Sequence, residues 1–74
     1  MVGSSFKKTI HVDLTEREHE VLTYLAKGKS YRSIAEILFI SQNTIKFHIK
    51  NIYDKLQVKS KEEAIQKANK ENLI

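Results

Sequence analysis

From residue 14 onward the apolar positions of this chain recur at intervals of three and four, in four groups separated by short polar turns. The third group is the clearest. At about 100° per residue, Ile45, Ile49, Ile52 and Leu56 fall on one stripe, with Tyr53 and His48 at its margins. This spacing predicts a helix from Gln42 to Leu56 whose core face is the isoleucine row. The opposite face carries Asn43, Lys46, Phe47, Lys50, Asn51 and Asp54. Phe47 stands near the middle of that polar face, where its own domain can hardly cover it.

The other groups give shorter helices. A first one should begin after Thr15, with Leu14, Val21, Leu22 and Leu25 on its buried side. Thr15-Glu16-Arg17-Glu18 has the form of a capping box, in which Thr15 accepts an amide hydrogen bond and Glu18 reaches back to the cap's own N–H. Glu16, Glu18 and Glu20 also suit the positive end of the helix dipole. Glu18 projects onto the buried stripe, and capping accounts for it more simply than a catalytic carboxylate does. Gly28 is placed to end this helix in left-handed backbone.

A second helix, Tyr31 to Leu38, is capped by Ser30 and buries Ile34, Ala35 and Leu38, with Tyr31 on the same side. Phe39 and Ile40 then lie in a turn without glycine, where both are expected to plug the angle between the helices. Ser60-Lys61-Glu62-Glu63 repeats the capping-box pattern and opens a last helix, about residues 61–71. Its narrow apolar face, Ala64, Ile65 and Ala68, suits either the core or a symmetry mate in a dimer. The expected architecture is all-α: four helices over residues 14–74, with no sheet. Residues 1–13 are expected to be a flexible leader or linker, extended over Ile10 to Val12.

Two amphipathic helices joined by three or four residues, opened by the caps Ser30 and Ser41, are the skeleton of a helix-turn-helix. The second helix of such a unit enters a DNA major groove. There a lysine can donate to guanine O6 and N7, an asparagine can pair with adenine, and a phenyl ring can touch a thymine methyl.

Charge sharpens that reading. The net charge is +4, and residues 27–50 hold five cations (Lys27, Lys29, Arg32, Lys46, Lys50) against the single anion Glu36. That local excess of four equals the whole net charge and falls on the two central helices and the turn that leads into them. Seventy-four residues allow one domain with one small core. With no cysteine there is no disulfide framework or thiolate metal site, which suits the reducing cytoplasm. No apolar run approaches the roughly 18 residues of a membrane span, and the first residues lack the apolar core of a secretory signal. His11, His19 and His48 show no ligand spacing, and His48 reads as a structural residue at the core edge. Neither a phosphate-cradling glycine loop, a Gly-x-Ser-x-Gly elbow nor a paired acid site occurs. The residues therefore point to a binding protein without cofactor or metal, and away from an enzyme.

The string Leu14-Thr15, Arg17-Glu18, Glu20-Val21-Leu22, Gly28-Lys29-Ser30, Ile34-Ala35, Leu38, Ile40-Ser41, Thr44-Ile45-Lys46, His48, Ile52, Lys55-Leu56, Val58 and Ala64 resembles the LuxR/GerE-type DNA-binding domain. That domain is shared by NarL/FixJ-like response regulators and quorum-sensing regulators. The match covers about fifty residues in one register, without gaps. What the resemblance implies is a four-helix domain that binds double-stranded DNA as a homodimer and regulates transcription in the cytoplasm. It can be a small free-standing regulator or the output domain of a two-component response regulator, with RNA polymerase a further partner. The family's base-reading positions correspond to Asn43, Lys46, Phe47 and, less regularly, Lys50, with Gln42 beside them. Thr44 matches a recurrent phosphate contact; Ser30 and Lys55 are weaker phosphate candidates. The fourth helix, with Ala64, Ile65 and Ala68, corresponds to the dimer contact.

Three residues depart from the family pattern: Gln57 where glycine is usual, Ser33 where glutamate is, and Lys61 where arginine is. None lies on the reading face. Several positions also admit plainer roles. Lys46 and Lys50 suit a solvated face, Thr44 can bond to its own helix start, and Phe47 can pack on another polypeptide. A protein-binding module built on Phe47 and the last helix is thus the main alternative. An RNA-binding surface would carry more stacking aromatics than this face has.

Overall fold

The computed structural model describes residues 13–74, which form four helices: α1 (Glu16–Ala26), α2 (Tyr31–Leu38), α3 (Gln42–Leu56) and α4 (Lys61–Lys70). No strand occurs among the described residues. The expected leader lies outside them except for Asp13.

Each helix opens on a side-chain hydroxyl. Thr15, Ser30, Ser41 and Ser60 accept hydrogen bonds from the amides of Glu18, Ser33, Thr44 and Glu63, each satisfying one of the unpaired donors of a first turn. At α1 the capping box is complete, because Glu18 Oε1 also takes the Thr15 amide at 3.0 Å. At α4 only half of the expected box forms. The Glu63 carboxylate takes the Lys59 amide (2.9 Å), one residue earlier than the cap, and thereby pins the turn before the helix.

The helix ends share a second device. Gly28, Phe39, Gln57 and Asn72 all have φ between +58° and +84°. After each, the next amide bonds back five residues: Lys29 to Tyr24, Ile40 to Ala35, Val58 to Tyr53 and Leu73 to Ala68. These are Schellman-type ends, in which the left-handed residue turns outward and the next one folds back on the helix. Ile40, Val58 and Leu73 accordingly pack against the core, while Gln57 and Asn72 stay exposed. Phe39 corrects an expectation. It does not plug the helix angle but is 93% exposed, since it holds the left-handed position. Ile40 alone faces inward.

The core is one cluster. Val21, Leu22 and Leu25 of α1 and Ile34 and Ala35 of α2 meet Ile45, Ile49, Ile52 and Leu56 of α3. α1 and α2 both lean on α3, so the isoleucine row is the axis of the domain. Each such side chain contributes about 1.5–3 kcal/mol when withdrawn from water. Ala64 and Ala68 of α4 close the cluster, and Lys67 Nζ reaches across to the Leu56 carbonyl (2.9 Å), answering one of the unpaired acceptors at the end of α3.

Candidate nucleic-acid interface

With Ile45, Ile49, Ile52 and Leu56 buried, the periodicity of α3 forces its other side into solvent. Asn43, Lys46, Phe47 and Lys50 are all exposed there, over the first three turns, while Gln42 is exposed at the helix start, nearer the isoleucine row. Phe47 is 61% exposed; its ring lies 5.9 Å from that of His48, tilted by 60°, and its outer part is uncovered. Lys50 reaches Asp54 at 3.7 Å, one helical turn on, both side chains being largely exposed. Such a pair contributes only about 0.3–0.5 kcal/mol, so a stronger anion can draw Lys50 away. Lys46 forms no ion pair among the described residues.

At the head of α3, Ser41 Oγ accepts from the Thr44 amide at 3.1 Å and lies 2.9 Å from Thr44 Oγ1. The two hydroxyls thus form a small polar step. Ser30 caps α2 and is exposed.

Two groups of sequence candidates land elsewhere. Lys55 is engaged inside the domain: its Nζ donates to Glu18 Oε1 at 2.6 Å and to the Asp13 carbonyl at 2.9 Å. Glu18 is 4% exposed and needs that partner. Burial pushes its carboxyl up, but the hydrogen bonds from Lys55 and Thr15 and the ammonium charge outweigh burial. The group is held below its ordinary value of 4.5. Glu18 therefore does more than cap α1, and Lys55 is better read as its counter-ion than as a phosphate contact. Ala64 and Ala68 are fully buried within the monomer, so they are core and not dimer surface. Of the three α4 candidates only Ile65, half-buried, meets solvent.

A groove that sequence reasoning did not single out runs along one flank of α3. About 420 Å³ in volume, it is lined by Tyr31, Ile49, Tyr53 and Val58 together with Lys46, Lys50, Asp54 and Lys59. Burial first, and then the neighbouring Tyr31, push the Tyr53 hydroxyl up to about 12. The tyrosines come from α2 and α3 and are distant in sequence, which is why no local pattern announces them.

A family model described as bacterial regulatory proteins of the luxR family, GerE, matches residues 12–68. This chain belongs to the luxR family. Among this luxR-family domain's relatives are two Bacillus subtilis (strain 168) proteins. One is the uncharacterized transcriptional regulatory protein YhcZ, 45% identical over 67 residues, covering 90% of this chain and 31% of YhcZ. The other is the transcriptional regulatory protein LiaR, 42% identical over 64 residues, covering 86% of this chain and 30% of LiaR. The chain thus spans less than a third of the length of these relatives. Among solved structures it is similar to the response regulator ChrA of a heme-sensing two-component system. There the TM-score is 0.81 and the identity 44%, over 84% of this chain and 31% of ChrA.

Proposed function

We propose that this chain, a DNA-binding luxR-family domain of transcription regulation, reads double-stranded DNA with the outward side of α3. One observation carries the reading. Lys46 and Phe47 are exposed on the side of the helix opposite the buried isoleucine row, so they are free to approach base edges while the fold stays intact. In this arrangement Asn43, Lys46, Phe47 and Lys50, with Gln42 at the rim, contact bases. Thr44 and Ser30 contact phosphates at the starts of α3 and α2.

One short helix touches too few bases for useful selectivity, so two copies act on paired half-sites. The exposed side of α4 around Ile65 supplies their contact. The domain acts by binding rather than catalysis, in the cytoplasm, as the output end of a two-component response regulator that addresses RNA polymerase. No helix of the described residues is long and apolar enough to cross a membrane.

Titration of a random-sequence duplex at low and moderate salt tests the reading. If about four to six phosphates are neutralised, log affinity should fall against log salt with a slope of roughly −4 to −5. Selection from a random duplex pool should then return a two-part site. Affinity indifferent to salt, or no binding at all, rejects DNA reading in favour of a protein-binding surface.

A further inference from the structure

We infer that the groove flanking α3 seats one sugar–phosphate strand of the duplex, with Lys59, in the turn beyond the reading helix, as a further phosphate contact. This rests on the DNA-reading proposal and extends it to the turn between α3 and α4. Three lysines (Lys46, Lys50, Lys59) line the groove against one aspartate (Asp54), a surplus of two positive charges. Asp54 is already answered by Lys50. Lys46 and Lys59 are left without an ion-pair partner among the described residues, one on α3 and the other on the turn.

Ile49, Val58 and the rings of Tyr31 and Tyr53 line the same groove. Deoxyribose presents carbon faces between its phosphates, so a lining that mixes apolar side chains with cations complements a DNA strand better than it does a compact anion. The position of Lys59 is also fixed. Its amide is held by Glu63 at 2.9 Å, Gln57 sets the left-handed turn before it, and Val58 is packed on the core. The groove is continuous with the reading face, because Lys46 and Lys50 belong to both.

Lys59→Ala, Lys59→Arg and Lys70→Ala, made in the full chain, test this on a pool-selected duplex and a random-sequence duplex across a salt series. Lys70, exposed in the last turn of α4 and about 140° around that helix from Ile65, controls for loss of bulk charge. Lys59→Ala should weaken both duplexes alike and make the log–log salt slope shallower by about 0.9, the share of one phosphate. Lys59→Arg should keep the parental slope, and Lys70→Ala should leave it unchanged. A parental slope in Lys59→Ala, or the same change in Lys70→Ala, overturns the contact while DNA reading stands. Failure of the parent chain to bind duplex overturns both.

Discussion

Lys55 Nζ lies 2.6 Å from Glu18 Oε1, joining the first turn of α1 to the last turn of α3 across 37 residues of sequence. The carboxylate is nearly sealed from water, while about a third of the lysine side chain remains exposed. Removing the ammonium strands a buried charge. Lys55→Ala should destabilise the domain by about 1–3 kcal/mol, less than for a fully enclosed pair because water can partly replace the lost partner. Urea unfolding measures this.

The same pair makes stability depend on acid. The Glu18 carboxyl is held below 4.5 in the folded chain, so the unfolded chain binds more protons in that range. Its contribution is complete above the ordinary carboxylate value and is lost as pH falls through the lowered folded value. Thermal melts taken from neutral pH downward should show a steeper acid-side decline for the parent chain than for Glu18→Gln. Declines of equal steepness would mean that other carboxylates set the acid limit.

On the proposed reading face, Lys46→Ala and Phe47→Ala should each weaken binding to a preferred duplex by about 1–3 kcal/mol. Both side chains are exposed, so melting should barely change. Competition between preferred and random duplexes is the telling readout. A loss that is the same on both would assign these residues to the backbone and not to the bases.

Ile49→Ala acts from the other side of the same helix. Ile49 is 4% exposed in the core cluster, and its truncation should cost about 2–5 kcal/mol of stability. A duplex that stabilises the folded form should recover part of that loss by mass action. Melts with and without duplex check both halves.

The left-handed residues offer a gain instead. Phe39 and Gln57 both have φ of 59°, where a side chain costs on the order of 1 kcal/mol, and both are exposed. Phe39→Gly and Gln57→Gly should each raise stability by roughly 0.5–1 kcal/mol, since the glycine's own chain entropy offsets part of the relief. Chemical denaturation midpoints would show this, and a lowered midpoint for Phe39→Gly would mean that its ring packs on the helix end.

Most of the fold was readable because it is written locally. The four hydroxyl caps, the isoleucine row and the exposed Asn43–Lys46–Phe47 face follow from a spacing of three and four along short segments. α4 ends at Lys70, one residue before the expected limit. What the sequence hid are relations between segments. That Lys55 answers Glu18, that Lys67 caps the end of α3 and that Tyr31 meets Tyr53 depend on how helices cross. Phe39 misled because hydrophobicity suggested burial, while the left-handed turn that no glycine occupied required an outward side chain. Ala64 and Ala68 could belong to either side of a thin helix, and only the packing of α4 on α1 and α3 decides for the interior.

Those two alanines reach beyond stability. Their methyl groups set how closely α4 approaches the body of the domain, and so fix the depth and angle at which the half-buried Ile65 meets solvent. A larger residue at 64 or 68 would tilt the helix like a shim under a hinge and re-aim Ile65 without altering it. A change at 65 itself would alter the proposed contact between copies and leave its direction alone. If copies pair through α4 as proposed, their affinity and the spacing of the two half-sites they span are tuned at separate positions of one ten-residue helix.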